Sequence, residues 1–227
     1  MRAPHAGPLG IFGGTFDPVH YGHLRAAVDV KRALALDELR LVPARDPPHR
    51  GEPSASAADR RAMLELALIE FPALALDTRE LDRTGKSYTI VTLEELRREM
   101  PDRPIVLIMG VDAFAGLSSW HRWEALVDYA HIAVVTRPGA RIDDALRGPL
   151  VGLWQARHRD GPDQVETAPA GTIFALAVTP HPISATAIRA ALAGGKGGET
   201  AVCHMLPPAV LAYIELHQLY RPGPDAS

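Results

Sequence analysis

Short apolar runs alternate along the chain with longer stretches whose apolar positions recur every three or four residues, the pattern of strands separated by amphipathic helices. Leu9-Gly10-Ile11-Phe12 reads as the first strand. The turn Gly13-Gly14-Thr15-Phe16-Asp17-Pro18 follows, and a helix is predicted from about Tyr21 to Ala35, with Leu24, Ala27, Val28 and Leu34 as its buried stripe. A second strand covers Leu39-Arg40-Leu41-Val42 and opens into a proline-rich loop through Pro43, Pro47, Pro48 and Pro53. Ser56 and Asp59, three apart, predict a capping box at the start of a helix running to about Glu70. The third strand is Leu74-Ala75-Leu76-Asp77, and the third helix runs from near Thr89 to Met100, stopped by Pro101.

Ile105-Val106-Leu107-Ile108-Met109 is apolar throughout, as a central parallel strand covered on both faces requires. A helical stretch from Trp120 to Val127 leads to the strand His131-Ile132-Ala133-Val134-Val135. Arg141 to Gln164, broken by Gly148-Pro149 and Gly161-Pro162, fits no element. The strand Thr172 to Val178, a helix from Ser184 to Ala193, a glycine-rich turn and a last helix from Pro207 to Leu219 complete the chain. Strand and helix in strict alternation predict an α/β fold: a doubly wound, Rossmann-like parallel sheet with helices on both faces and a C-terminal helical part. Residues 1–227 read as one domain, with 1–7 and 221–227 as tails.

Composition narrows the function classes. A length of 227 residues with 22% charged and 47% hydrophobic positions suits a single globular unit. The formal net charge of −3, from 24 Lys and Arg against 27 Asp and Glu, argues against a protein that wraps nucleic acid. No apolar run approaches the roughly 18 residues of a membrane span, and Met1 to Gly7 lacks a secretory apolar region, so a cytoplasmic location is expected. Cys203 stands alone, which excludes an intramolecular disulfide and a multi-cysteine metal site and fits a reducing compartment.

Helix starts then supply candidate chemistry. A helix N-terminus carries about half a positive charge and favours Asp or Glu in its first turn. Asp59 meets this expectation in one helix, and Glu94 with Glu95 in the early turns of another. The helix after Gly13-Gly14 instead begins His20-Tyr21-Gly22-His23-Leu24-Arg25, and the helix at Ser184 begins Ser184-Ala185-Thr186-Ala187-Ile188-Arg189. Both suit a bound anion, phosphate above all. An isolated H-x-x-H also reads as two capping histidines. Two histidines without a third ligand make a poor metal site, so no resident metal is expected.

The longer string Gly13-Gly14-Thr15-Phe16-Asp17-Pro18-Val19-His20-Tyr21-Gly22-His23 resembles the G-G-T-F-D-P-x-H-x-G-H motif of the nucleotidyltransferase superfamily, and Ile183-Ser184-Ala185-Thr186-Ala187-Ile188-Arg189 resembles its partner I-S-x-T-x-I-R. Pro47-Pro48-His49-Arg50, Gly85-Lys86-Ser87-Tyr88-Thr89, Gly110-Val111-Asp112, Trp120 with Trp123, Arg137-Pro138-Gly139 and the ending at Leu219-Tyr220 extend the likeness over the chain. It is closest to the bacterial nicotinate-nucleotide adenylyltransferases, which join nicotinate mononucleotide to the AMP part of ATP, release pyrophosphate and use Mg²⁺.

The resemblance implies an ATP site of Gly13, Gly14, Thr15, Phe16, His20, His23, Gly110, Asp112, Ile183, Ser184, Thr186 and Arg189. His23 would meet the α-phosphate, Ser184, Thr186 and Arg189 the β and γ phosphates, and Asp112 the ribose; His20, His23 and Arg189 form the catalytic set. Thr89, Trp120 and His121 fall where the family contacts nicotinate, by a stacking indole and backbone N–H groups. His49 and Arg50 complete the substrate set, with Arg50 standing where lysine is common. The glycines 194, 195, 197 and 198 around Lys196 depart from the family pattern. Mg²⁺ would arrive with the ATP phosphates, and the partners are small molecules, with homo-oligomerisation left open.

Other signals point elsewhere or nowhere. Gly85-Lys86-Ser87 ends like a P-loop, but Glu80 stands where its first glycine must be. Cys203 and His204 are adjacent and cannot face each other on a helix. His5, His131, His158, His181 and His217 read as solvated or structural, and Arg97-Arg98 as a solvated helix end. Three rivals remain: transfer to nicotinamide mononucleotide or phosphopantetheine, a nucleotide-binding module without turnover, and a class I aminoacyl-tRNA synthetase. The last lacks room for an anticodon-reading domain.

Overall fold

The computed structural model describes residues 7–46, 52–136, 142–194 and 197–221. Six strands, β1 (Leu9–Gly14), β2 (Glu38–Pro43), β3 (Ala75–Leu76), β4 (Ile105–Gly110), β5 (His131–Thr136) and β6 (Ile173–Ala177), form one sheet. Their order is β3-β2-β1-β4-β5-β6 and every pairing is parallel. The strand order reverses between β1 and β4, so their carboxyl ends diverge and leave a crevice there.

The helices are α1 (Tyr21–Ala33), α2 (Ala57–Glu70), α3 (Arg79–Asp82), α4 (Thr89–Glu99), α5 (Val111–Ala115), α6 (Leu126–Tyr129), α7 (Leu150–Arg157), α8 (Ala185–Ala193), α9 (Gly198–Val202) and α10 (Pro208–Leu216). Alternation along the strands divides the core into two layers. Val106 and Ile108 of β4 join Leu24, Ala27, Leu64 and Ile188 under α1, α2 and α8. Ile105, Leu107 and Met109 of the same strand join Ile90, Leu93, Phe114 and Leu126 on the opposite face. The doubly wound fold read from the sequence is the observed one, and α8 to α10 form its C-terminal helical part.

Several local readings change. The buried stripe of α1 uses Val30 where the sequence pattern offered Val28. Trp120 to Val127 is not one helix: Leu117–Ser119 and Trp123–Ala125 are 3-10 turns separated by an extended Trp120 and a left-handed Arg122 with φ of 51°. The stretch between Arg141 and Gln164 contains the 3-10 turn Ile142–Ala145 and α7. Glu94 and Glu95 lie beyond the first turn of α4, which holds no acidic residue, and pair with Arg122 and with Arg79 and Arg83. Arg98 is exposed as expected, but Arg97 is half-buried and tied down: its guanidinium donates to the carbonyls of Arg103 at 2.7 Å, Tyr129 at 2.7 Å and Pro169 at 2.8 Å, collecting three loop ends. His131 is buried as a structural group, its Nδ1 on the Thr172 hydroxyl and its Nε2 2.8 Å from the Ala168 carbonyl, and burial holds its pKa below the ordinary value.

At the glycine-rich turn, a Cβ on Gly198 would lie 2.3 Å from the Ala191 carbonyl oxygen. Glycine there lets α9 cross α8 at backbone distance, a packing reason for part of the unusual stretch; residues 195 and 196 lie outside the described residues. Gly7 donates its N–H to Asp37, and Arg221 pairs with Glu199 at 2.9 Å.

Candidate functional site

A cavity of about 870 Å³ opens at the carboxyl ends of β1 and β4, within the range of small-molecule sites. It is lined by Gly13, Gly14, Thr15, Phe16, His20 and His23 from the first turn, Gly110 and Asp112 after β4, Thr89, Trp120 and His121 on one side, and Ile183, Ser184, Thr186 and Arg189 on the other. Thus the structure brings every described member of the expected set to one place. His49 and Arg50 lie outside the described residues, as does Arg137-Pro138-Gly139.

Of the helices that begin on this cavity, the five-residue α5 carries Asp112 in its first turn, while α1, α4 and α8 have no acidic residue there. Their unneutralised N-termini converge on the space an anionic ligand would fill. At α8, Ser184 caps the helix by accepting the Ala187 N–H, and its own hydroxyl hydrogen is left to donate. Arg189, half-buried, gives one N–H to the Asp17 main-chain carbonyl at 2.7 Å, which fixes the guanidinium at the cavity edge.

The two motif histidines stack, ring centroids 3.7 Å apart and planes 21° from parallel. A Cβ on Gly22 would meet His20 Nδ1 at 2.9 Å and the Ile183 carbonyl at 3.2 Å, so only glycine lets the His20 ring and the segment before α8 approach. Phe16 sits edge-on to His23 at 5.1 Å, with its ring 2% exposed and its backbone left-handed at φ of 51°. That conformation is costly for an aromatic residue and persists here because the ring is buried between Phe12 and His23. His20 is 4% exposed, and burial pulls its pKa down to about 4, so at neutral pH it is an uncharged imidazole. Its Nδ1 has no hydrogen-bond partner among the described residues.

Sequence reasoning missed the frame behind these groups. Arg60 of α2 is 1% exposed and donates to the Thr15 carbonyl at 2.8 Å, Ala44 at 2.6 Å, Arg45 at 3.1 Å and Ala55 at 3.3 Å. Its signal was a cation in register with the apolar Met63, Leu64 and Ala67 of the same helix face. Burial pulls the Arg60 pKa below its ordinary value, and Asp17 opposes that shift. Asp17, 6% exposed, accepts the Ser54 N–H at 2.7 Å, the Ala55 N–H at 3.1 Å and the Tyr220 hydroxyl at 2.7 Å. His181, expected to be without a constellation, lines the cavity with Nε2 3.0 Å from Asp29 of α1. Glu80 is buried in the wall, where it accepts the Thr92 hydroxyl at 2.6 Å, and desolvation pushes its carboxyl up. Tyr88 packs on His121 at 4.5 Å. Among the described residues no group of three or more His, Cys, Asp or Glu is arranged to hold a metal ion, and no helix is long and apolar enough to cross a membrane.

Comparison with known proteins places this geometry among relatives. Residues 11–191 match the cytidylyltransferase-like family. A protein of Pseudomonas fluorescens named "probable nicotinate-nucleotide adenylyltransferase" is 49% identical over 216 residues, 94% of this chain and 97% of the relative. One of the same name from Pseudomonas aeruginosa is 48% identical over 214 residues, with the same shares. Among solved structures, the Plasmodium falciparum nicotinic acid mononucleotide adenylyltransferase complexed with NaAD superposes with a TM-score of 0.72 at 16% identity, over 94% of this chain and 97% of the other, a likeness of fold.

Proposed function

The chain belongs to the nicotinate-nucleotide adenylyltransferases, a family within the cytidylyltransferase-like proteins, and on that footing we propose how its cavity carries out adenylyl transfer. The enzyme is a nucleotidyltransferase of NAD biosynthesis. It joins the phosphate of nicotinate mononucleotide to the AMP part of ATP and releases pyrophosphate. One observation carries the mechanistic reading: three helix N-termini without first-turn acids open on a single cavity, at the topological switch point of the sheet.

The attacking group is already an anionic phosphate oxygen, so displacement at the α-phosphorus needs no covalent nucleophile on the protein and no general base. Alignment and charge neutralisation suffice. In this reading His23 and His20 hold the α-phosphate region, with His20 acting as an uncharged donor, while Ser184, Thr186 and Arg189 hold the β and γ phosphates. Gly13, Gly14, Thr15 and Phe16 shape the first turn around the triphosphate. Gly110 and Asp112 take the ribose side, and Ile183 closes the cavity opposite His20. Gly13 and Gly110 suit close approach, since no atom lies within 4 Å of where a Cβ would stand on either. Thr89 at the start of α4 offers backbone N–H groups to the pyridine carboxylate, with Trp120 stacking on the ring and His121 beside it. His49 and Arg50 belong to the same proposal as substrate contacts.

Mg²⁺ would come bound to the ATP phosphates that Ser184, Thr186 and Arg189 hold, and would supply neutralisation of charge on the leaving pyrophosphate. Asp17 is occupied by three donors, and beside the carboxylates of Glu52, Glu80 and Asp112 the cavity presents hydroxyls, imidazoles and Arg189, donors suited to phosphate. A cytoplasmic location and small-molecule partners complete the proposal.

Pyrophosphate release with ATP and Mg²⁺ tests it, using nicotinate mononucleotide, nicotinamide mononucleotide and phosphopantetheine in turn. Turnover is expected to be fastest with the acid; equal or faster turnover with the amide would refute acid preference, and none with any would favour a binding module. In the same assay Trp120→Ala should raise KM for the mononucleotide about 10-fold with kcat little changed, the worth of one stacked aromatic contact. An unchanged KM in a folded variant removes Trp120 from the ring site.

A further inference from the structure

We infer that Tyr220, four residues beyond the last helix, is a positioning residue for ATP, acting through Asp17 on the turn and the arginine that hold the triphosphate. The inference rests on the adenylyltransferase reading of the cavity. Tyr220 is not among the residues lining that cavity, so any effect on substrate must pass through another group.

Asp17 joins three parts of the site. Its Oδ2 accepts the Ser54 N–H at 2.7 Å, and its Oδ1 is shared by the Ala55 N–H at 3.1 Å and the Tyr220 hydroxyl at 2.7 Å. Its main-chain carbonyl accepts Arg189 Nη1, also at 2.7 Å. A displacement of Asp17 as a whole therefore carries the 52–55 segment, through the carboxylate, and Arg189, through the main-chain carbonyl, and both border the cavity. From the other side Arg60 grips the carbonyls of Thr15 and Ala55, so the segments flanking Asp17 are already pinned. Among the described residues, Tyr220 supplies the side-chain hydroxyl that the Asp17 carboxylate accepts, beside two backbone N–H groups.

Local geometry indicates a directed contact rather than a passing one. Tyr220 has φ of 65°, a left-handed backbone that aromatic residues seldom adopt. That turn brings the chain end back onto the first turn of the sheet, 203 residues away in sequence. Burial, then the Asp17 charge, raises the hydroxyl pKa well above its ordinary value, so the hydroxyl remains a donor wherever the enzyme works. The contact is a hydrogen bond to an ionised acceptor, the stronger class.

Tyr213 provides a matched comparison. On α10, in the same C-terminal segment, its hydroxyl donates to Asp59 at 3.0 Å and ties α10 to α2 away from the cavity. If Tyr220 only clasped the C-terminus, the two contacts would be equivalent in effect.

The experiment titrates the full-length wild type, Tyr220→Phe and Tyr213→Phe with a non-hydrolysable ATP analogue and Mg²⁺ by calorimetry, alongside thermal unfolding. Tyr220→Phe should weaken binding on the order of 10-fold, as expected for loss of a hydrogen bond to a charged group. Tyr213→Phe should leave binding within about 2-fold of wild type while lowering Tm comparably, because it loses a similar contact. Steady-state kinetics give a second readout: KM for ATP rises in Tyr220→Phe and KM for nicotinate mononucleotide does not. Unchanged analogue affinity in Tyr220→Phe, or equal weakening in both variants, overturns the inference. A wild type that binds the analogue yet transfers no adenylate from ATP itself would overturn the adenylyltransferase reading, and the titration would still decide the role of Tyr220.

Discussion

Replacing His23 by alanine is expected to lower kcat by on the order of 10²–10³, the loss typical of removing one preorganised donor to a developing oxyanion. The ring is set before substrate arrives: it stacks on His20 at 3.7 Å and takes the edge of Phe16 at 5.1 Å. A group fixed in this way does not reorganise during displacement, so its contribution falls on the transition state. KM for the mononucleotide should change little, because that substrate is assigned to the far side of the cavity around Thr89 and Trp120. Presteady-state pyrophosphate release at saturating substrates separates the chemical step from product release. An unchanged chemical rate in a folded His23→Ala variant removes His23 from the α-phosphate.

The second large effect is on stability. Arg60→Ala should cost about 3–5 kcal/mol, the range for breaking a buried hydrogen-bonded charge network. The guanidinium is 1% exposed and satisfies four carbonyls on the loops after β1 and β2 and before α2. Its removal strands those oxygens and takes away a positive charge that interacts with Asp17. Arg60→Lys keeps the charge but presents a single ammonium where a planar fork reaches several acceptors, so it should recover less than half of the loss. Urea unfolding at neutral pH provides the check, read as a lower midpoint at constant slope. A loss below about 1 kcal/mol for Arg60→Ala would mean that water replaces the guanidinium without penalty.

The fold was legible where one physical signal dominated. The unbroken apolar run Ile105 to Met109 could only be a strand covered on both faces, and Ser56 with Asp59 marked the start of α2 to the residue. The four-residue α3 and the five-residue α5 and α9 were not legible, because such short helices show hardly more than one turn of periodicity and are held by packing. Trp120 and Trp123 have helical spacing, yet the left-handed Arg122 between them divides the segment.

The site divides similarly. The first turn and the start of α8 were readable because their residue types run against the usual preference for acids at helix starts. The first turn of α4 shares that feature, but Glu94 and Glu95 obscured it by appearing close enough in sequence to count. His20 lines the cavity, and its uncharged state was not legible, since desolvation depends on burial that spacing does not reveal. Arg60 left a faint trace as a cation on an apolar helix face. Tyr220 showed only as part of the ending that the family shares, and its contact was not legible, because it depends on a backbone turn and on a partner at the opposite end of the chain.

Stereochemistry at the α-phosphorus is the most direct test of a single in-line displacement in a cavity that supplies donors and no nucleophile. With ATP made chiral by sulfur at that phosphorus, the dinucleotide product should show inverted configuration. Retention would mean two successive displacements through an adenylylated residue, and would contradict direct attack by the mononucleotide phosphate.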